Sequence, residues 1–516
     1  MTTQGMWLDR FFTAYYRRRP VNATFVGVHD YDRELPDFSE NGAGDTLAEM
    51  RSLLDPLEHD SSIDHRLAAG YLRTQVAEFQ STHFHRGNPS LYTGEAAFGI
   101  MSLFLTDFAP LAERIDSAAA RLAGIPRLLN QGRTNVRQAP TGWTERAIKE
   151  CRGLTALLTD GIARLPEPAS TVLAPAATKA LAAVSDFRHY LETELRARPV
   201  RDCAAGPELL ALNLHEAHCL TMSANELGAY AEAELEVAKA ALARMAPPEA
   251  ESASRPTRYQ ELWEEVRGLA ESHQLLTWPE FPIRYVDRPA WAWAAAPDLY
   301  FLYYRSPAAF NRPAVHEYLV PPELPSESAI KLNHVVHHGG IGHHVQNWHA
   351  ARAPSAVGRI AAVDCASRIA MACGGTMAEG WACYATDLMG EIGFLTPAEQ
   401  YDEAATRCRM CARAVVDVRL HQGQFTLDEA AEYYQREAGM PAGAAMGEAV
   451  KNSMFPGGAV VYLTGRDEIH GLRRALSARL GSAFNLRTFH DQFLAYGSIP
   501  VTLIATDMMQ RADAAQ

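Results

Sequence analysis

Six of the 19 histidines in this 516-residue chain lie in one short stretch, residues 333–349. Neutral imidazole nitrogens are ligands that zinc and several other transition metals favour. The stretch also holds three glycines and neither lysine nor arginine, so no cation in it would oppose a bound metal ion. Its valines, isoleucine and tryptophan make it too apolar for a solvated histidine tract. These residues therefore predict a metal site.

The spacing of the histidines does not fit one straight α-helix. Only His334 and His338 are four residues apart, the separation that places two ligands on one helical face. His337 and His343 would lie about 240° apart around a regular helix. His344 returns to the face of His337, but about 10 Å further along the axis. The intervening glycines permit a bulge or break that would bring His343 back towards His337. The sequence therefore leaves open whether the metal binds His334 with His338, or His337 with His343 or His344.

A carboxylate that could complete the site begins a second predicted helix. Gly374 and Gly375 interrupt the helical pattern, and Glu379 follows beside Gly380 and Trp381. Two histidines and one glutamate leave an open coordination position, which catalytic zinc requires. Alone, Glu379 would be an ordinary surface residue, so its assignment depends on the histidine stretch.

Two other groupings imitate metal motifs. His215 and His218 are one residue closer than the zinc-protease spacing, so we expect them on the surface of a helix. Cys408 and Cys411 form a single C-x-x-C pair inside a predicted helix, and we expect a structural role for them.

The length and composition indicate a globular protein with an ample core. Hydrophobic residues make up 47% of the chain and charged residues 21%, and no linker-like segment divides it. We therefore expect one domain, with a helical lobe over 1–280 and a metal-site lobe over 281–516.

The charge and the chain start favour some settings over others. A net charge of -13 argues against nucleic acid as a partner. The first ten residues lack the basic and apolar regions of a secretion signal, and no apolar run is long enough to span a membrane. We expect a cytoplasmic protein without membrane contact, as a monomer or homodimer.

The predicted elements are mainly helical. Periodic patterns predict helices at 6–20, 44–58, 62–82, 108–131, 141–164, 170–198, 224–246, 327–350, 355–373, 376–390, 397–421, 426–437, 444–453, 458–479 and 485–495. The aromatic run 298–305 is the best strand candidate. In zinc proteases such a strand pairs with the substrate, which makes Tyr303 a candidate substrate contact. An aromatic core strand fits the run equally well.

Several motifs together resemble one family, the bacterial proteins of unknown function grouped as DUF885, which look like relatives of the zincin metallopeptidases. The family pattern His-Glu-x-x-Pro-Gly-His-His-x-Gln matches 337–346 except at two positions. Its Glu-Gly-Trp-Ala-x-Tyr matches 379–384, and its Arg-x-x-x-Asp-x-x-x-His matches 413–421. Opening and closing segments are similar to residues 20–32, 456–465 and 489–500.

The resemblance implies a large helical, zincin-like fold of the metallopeptidase type. It implies a small β-sheet beside the active-site helix and a deep central cleft. His337, His343 and Glu379 would then bind one divalent metal ion, with zinc expected and iron as the alternative.

The resemblance also implies residues that face the substrate. Tyr462 is the first candidate, because a tyrosine hydroxyl can donate a hydrogen bond to an oxyanion. His421 is a further catalytic candidate, and Tyr384 and Arg466 are expected to contact a small-molecule or short-peptide substrate.

Two departures from the family pattern affect the chemistry. His338 stands where the family has its general-base glutamate, and Ile341 replaces a proline. Histidine can accept a proton near neutral pH, but it can also bind metal. We therefore expect a hydrolase of amide or peptide bonds with an altered base. A non-hydrolytic metalloenzyme that uses iron or another redox metal, and an inactive binding protein, are the alternatives.

Overall fold

Helices form most of the regular structure in the computed structural model, which describes residues 3–55, 62–200, 202–247, 258–299, 304–320, 325–365, 368–369 and 372–514. The expectation of a mainly helical protein is confirmed. The α-helices are α1 (Thr3–Arg18), α2 (Pro20–Val26), α3 (Glu40–Leu54), α4 (Ile63–Gln80), α5 (Pro89–Met101), α6 (Leu111–Asn135), α7 (Thr141–Ala156), α8 (Ala169–Tyr190), α9 (Pro207–Leu212), α10 (Ala224–Leu242), α11 (Arg258–Ser272), α12 (Glu327–Ala329), α13 (His343–Ala350), α14 (Ala356–Ile360), α15 (Gly375–Glu391), α16 (Pro397–His421), α17 (Leu427–Ala438), α18 (Ala442–Ser453), α19 (Val461–Leu480), α20 (Leu486–Leu494) and α21 (Val501–Ala514). Segments of π-helix are Leu157–Gly161, Leu191–Leu195, Asn213–Ala217 and Ile330–Gly339.

The strands of the described residues form short pairs. These are the parallel pair β1 (Ala139–Pro140) and β2 (Pro199–Val200), the parallel pair β3 (Ile283–Asp287) and β4 (His316–Val320), and the antiparallel pair β5 (Asp364–Cys365) and β6 (Arg368–Ile369). The β3–β4 pair lies against the π-helix Ile330–Gly339, because Tyr318 of β4 hydrogen-bonds to His334.

The strand expected over 298–305 is not present at its described ends. Leu299 and Tyr304 lie in bends, and the residues between them, including Tyr303, lie outside the described residues. The strands beside the histidine segment are β3 and β4 instead, on either side of that aromatic run.

Two hydrophobic clusters form the core. One includes residues from Trp7 to Met508 and therefore draws on both ends of the chain. The other surrounds α10 and α16, where Leu227 and Val415 are fully buried. The division into lobes at residue 280 stays a prediction.

Helix α16 begins at a strong N-terminal signal and positions one wall of the candidate site. The Thr396 side chain accepts a hydrogen bond from the Glu399 N–H, and the Glu399 carboxylate accepts one from the Thr396 N–H. This capping box satisfies two backbone donors that a helix start leaves free. Glu399 also forms a buried ion pair with Lys331, at 2.7 Å, which ties α16 to the π-helix.

Candidate metal centre

The histidine segment folds as a π-helix, a break and a short α-helix. The π-helix Ile330–Gly339 carries His337, and α13 begins at His343. Between them the Gly342 N–H donates to the Val336 carbonyl, at 3.0 Å. A Cβ on Gly342 would lie 2.8 Å from that same oxygen, so a side chain would clash with the backbone there. The structure has the break that the glycines permit.

His337, His343 and Glu379 converge on one point. Glu379 Oε2 lies 3.5 Å from His337 Nε2 and 3.6 Å from His343 Nε2. These separations are longer than the usual N–H···O hydrogen bond of about 2.7–3.2 Å. Two atoms bound tetrahedrally to one zinc ion at about 2.1 Å would lie about 3.4 Å apart. The three side chains therefore fit a shared metal ion.

His338 is the fourth member of the cluster. Nitrogen atoms of His337, His338 and His343 all lie within 4.8 Å of one another. The Nδ1 of His338 lies 2.6 Å from the Asn333 carbonyl oxygen, so this nitrogen carries the proton and donates it. Nε2 of the neutral ring is then an acceptor, available to a proton or to a metal ion.

The other two histidines that the spacing left open lie outside this cluster. His344 is fully buried, hydrogen-bonds to the Phe281 carbonyl at 2.7 Å and stacks on the Phe281 ring. His334 is buried and pairs with the hydroxyl of Tyr318. Both therefore have packing partners away from Glu379.

Tryptophan side chains fix the backbone around the histidines. Trp381 Nε1 donates to the Ile341 carbonyl and Trp263 Nε1 to the Gly339 carbonyl, each at 2.9 Å. Trp381 belongs to α15, two residues after Glu379. The Trp381 bond therefore joins the helix of the carboxylate directly to the histidine segment.

The glycine of the Glu-Gly-Trp motif brings two helices into backbone contact. A Cβ on Gly380 would lie 2.5 Å from the carbonyl carbon of Gly465 in α19. Only glycine at both positions allows this approach of the two backbones. Since Glu379 immediately precedes Gly380, we expect the crossing of α15 and α19 to determine how far its carboxylate reaches towards the histidines.

Burial and mutual charge set the protonation of the cluster. Burial lowers the pKa of His337, and burial together with the neighbouring His337 and His343 lowers that of His338. Burial acts to raise the pKa of Glu379, but its contacts with His337 and His343 hold this pKa well below the usual range. Neutral imidazoles and an ionised carboxylate are the forms that bind metal.

The cluster lines a cavity of about 560 Å³. The cavity wall includes Asn333, His337 and His338 from the π-helix, His343 from α13, Glu379 and Cys383 from α15, Asp402, Glu403, Thr406, Arg409 and Arg413 from α16, Lys451 from α18 and Tyr462 from α19. Tyr462 is therefore in a position to meet a ligand, with the Arg413 guanidinium 5.1 Å from its ring centre.

Three other predicted site residues do not line this cavity. His421 is fully buried, with its Nε2 donating to the Asn452 carbonyl and its Nδ1 accepting the Ala205 N–H. Tyr384 is fully buried against His490. These positions correct our assignment of a catalytic role to His421 and of a substrate contact to Tyr384, and we assign both to packing.

Arg466 is also engaged elsewhere. Its Nε donates to Asp387 at 2.6 Å and its Nη1 to Asp467 at 2.9 Å. We therefore correct its assignment from substrate contact to an ion-pair network behind the cavity wall. Tyr303, the remaining substrate candidate, lies outside the described residues.

The sequence interpretation missed the α16 wall. Asp402, Thr406, Arg409 and Arg413 recur at intervals of three or four residues and share one helical face. A polar face of this kind is normally solvated, so the pattern of residues does not indicate that it lines a cavity.

The His215/His218 and Cys408/Cys411 pairs, which resemble metal-binding motifs, lie outside the candidate metal centre. His218 is buried, so the expectation that it lies on a helix surface is wrong. Cys408 and Cys411 are buried free thiols in α16, within the second hydrophobic cluster.

Solved structures share the fold of this chain. One is "The structure of a putative lipoprotein of unknown function from Shewanella oneidensis", with a TM-score of 0.75 and 20% identity over 99% of this chain and 100% of that one. Another is "The crystal structure of the putative lipoprotein from Colwellia psychrerythraea", with a TM-score of 0.73 and 16% identity over 99% of each chain. No curated protein matches the sequence.

These descriptions overturn our expectation of a cytoplasmic protein. Both similar structures carry the description "putative lipoprotein", and a lipoprotein is held at a membrane by its lipid anchor. Within the described ranges, every helix is too short or too polar to cross a bilayer.

The family comparison covers almost the whole chain. The model of the family described as "Bacterial protein of unknown function (DUF885)" matches residues 20–508, which include the histidine segment and the helix of Glu379. The chain therefore belongs to the DUF885 family.

Proposed function

We propose that this protein is a metal-dependent hydrolase of amide or peptide bonds in a short peptide or amino-acid conjugate. The observation that carries the proposal is the convergence of His337, His343 and Glu379 in the wall of one cavity. Two imidazoles and one carboxylate are the ligand set of catalytic zinc sites that keep an open position. The cavity volume lies within the range of about 300–1,000 Å³ that small-molecule sites occupy.

The side chains around the ligands supply the rest of the chemistry. A divalent ion held there would act as a Lewis acid, which polarises a carbonyl group and makes water nucleophilic near neutral pH. The free Nε2 of His338 would take a proton from the attacking water and return it to the leaving nitrogen. Tyr462 would donate a hydrogen bond to the developing oxyanion.

The arrangement also supports a zincin-like relationship. Two ligands come from one segment, the third comes from a separate helix, and the residue after the first histidine faces the same space. In zincins that residue is a glutamate base, and His338 occupies its place here. Histidine at this position can still accept a proton, but its neutral ring does not bring the negative charge of a glutamate carboxylate to the site.

One observation favours a second function. Because Nε2 of His338 is unprotonated and nitrogen atoms of His337, His338 and His343 lie within 4.8 Å of one another, the three histidines could hold a metal ion together. A nitrogen-rich site of this kind suits iron and a reaction other than hydrolysis.

Metal analysis of protein purified without a histidine tag separates these functions. We expect about one zinc ion per chain, together with hydrolysis of a panel of short peptides and acylated amino acids. Both should be lost in Glu379→Gln and kept in the control Glu432→Gln, which changes an exposed glutamate of α17. Bound iron without hydrolysis would support the second function, and absence of metal would contradict both.

A further inference from the structure

The α16 wall of the cavity carries two arginines one helical turn apart. Arg413 lies close enough to the candidate metal centre for its positive charge to contribute to lowering the pKa of His337. Arg409 precedes it by four residues, or about 6 Å along the helix axis. Both side chains line the cavity.

Only one of these arginines is neutralised by a carboxylate. Arg413 Nε lies 2.7 Å from Glu448 Oε1. Arg409 Nη2 donates to the hydroxyl of Thr406 at 2.6 Å, and no carboxylate of the described residues lies within ion-pair distance of its guanidinium. Arg409 is also solvent-exposed, so its remaining donors are accessible to a ligand.

Two acidic residues of the same wall make no ion pair with Arg409. Asp402 accepts a hydrogen bond from Ser328. Glu403 lines the cavity, but burial raises its pKa to about 8, so this carboxyl is mostly uncharged at neutral pH. The Arg409 guanidinium therefore lines the cavity without an ion-pair partner among the described residues.

We infer that Arg409 binds a carboxylate of the substrate, which is then an acylated amino acid or short peptide with a free C-terminal carboxylate. A guanidinium presents paired N–H donors that match the two oxygens of a carboxylate. Because Arg409 lines the same cavity as His337, His343 and Glu379, a carboxylate bound by Arg409 would lie in the same cavity as the bond at the metal centre. The position of the cleaved bond rests on the proposed function, whereas the binding of the carboxylate does not.

Pairs of ligands that differ only at the C-terminus test this inference. A panel of N-acetylated amino acids and dipeptides is prepared as free acids and as C-terminal amides, and binding is measured by calorimetry with and without EDTA. We expect the native protein to bind the acids about 10- to 100-fold more tightly, as charged hydrogen bonds predict. Arg409→Gln should remove this preference, Arg409→Lys should keep part of it, and the control Arg474→Gln, on the exposed surface of α19, should leave it unchanged.

Each other outcome overturns the inference or separates it from the proposed function. Equal binding of acids and amides, binding of neither, or an acid preference that survives in Arg409→Gln would overturn it. Hydrolysis without acid preference would overturn it while the hydrolase proposal stands. Acid preference through Arg409 without turnover would support the inference and contradict the hydrolase.

Discussion

Replacing Gly380 with alanine should weaken metal binding without changing any ligand. A Cβ at this position would lie 2.5 Å from the carbonyl carbon of Gly465, 2.6 Å from its Cα and 2.8 Å from the Arg466 nitrogen. All three atoms belong to the backbone of α19, so no change of rotamer relieves the contact. Glu379, the carboxylate of the candidate metal centre, is the residue immediately before Gly380.

The size of the effect follows from these distances. Ordinary contact begins near 3.4 Å, so α15 and α19 must separate by about 0.9 Å at the crossing. Ligand distances in metal sites tolerate only about ±0.2 Å, so a shift of this size would remove Glu379 from the ion. We expect zinc affinity to fall by at least about 100-fold, the upper end of the cost of losing an outer-shell partner. Overpacking should also destabilise the metal-free protein by about 1–3 kcal/mol.

Gly390→Ala is the matched control, because it makes the same substitution in the same helix. Its Cβ would meet only Leu395 Cδ1, at 3.5 Å, which is ordinary contact. We expect unchanged zinc affinity and a gain of up to about 1 kcal/mol in stability. Urea unfolding in EDTA measures the stability, and competition with a chromophoric chelator measures the affinity. If Gly380→Ala kept the zinc affinity of the control, the crossing of α15 and α19 would not position Glu379.

Three further predictions address the base, the cavity wall and the support of the π-helix. His338→Glu should raise kcat/KM for peptide hydrolysis, since a well-placed base contributes about 10²–10⁴-fold, and an unchanged rate would show that residue 338 is not the base. Burial raises the pKa of Glu403 to about 8, whereas this carboxyl in the unfolded chain loses its proton near pH 4.5. Between about pH 4.5 and pH 8 the folded protein therefore holds a proton that the unfolded chain has released, so its free energy of unfolding should fall relative to that of Glu403→Gln as the pH rises. The slope should not exceed about 1.4 kcal/mol per pH unit, and parallel urea-unfolding profiles of the two proteins would contradict it. Lys331→Met should cost about 3–5 kcal/mol in urea unfolding, because it leaves the buried carboxylate of Glu399 unpaired, and Lys331→Met/Glu399→Gln should recover part of that loss.

Helices with one apolar face were predictable, and helices without one were not. The predicted helix 397–421 coincides with α16, and the predicted helix 376–390 is one residue shorter than α15 at each end. The sequence interpretation missed α5, in which every residue is buried. A helix buried all round has no polar face, so its hydrophobic residues show no period of 3.6. It also treated residues 21–39 as irregular, although their first six form most of α2.

Motifs indicate the candidate ligands, but they do not predict their geometry. Regular helix geometry places His337 and His343 on different faces, and only a π-helix followed by the Gly342 turn brings them together. That distortion depends on tertiary partners such as Trp263 and Trp381, which lie far away in the sequence. No local pattern of residues specifies it.

Family motifs also did not distinguish residues of the candidate metal centre from residues that only support the fold. Asp417 and His421 belong to one family motif, and His421 was predicted to be catalytic. In the structure Asp417 accepts the backbone N–H groups of Gly457 and Ala459, at 2.9 and 2.7 Å, and His421 is sealed in the interior. Their motif therefore joins α16 to the loop before α19.

The hydrogen bond from Trp381 to the Ile341 carbonyl affects how the centre would acquire and lose its ion. This bond connects two segments that lie 40 residues apart in the sequence, and it does so through protein atoms alone. We expect a pocket assembled in this way to keep its shape when a chelator removes the ion, and to refill with whichever divalent cation the surroundings supply. The native occupant would then depend on the compartment as well as on the amino acids.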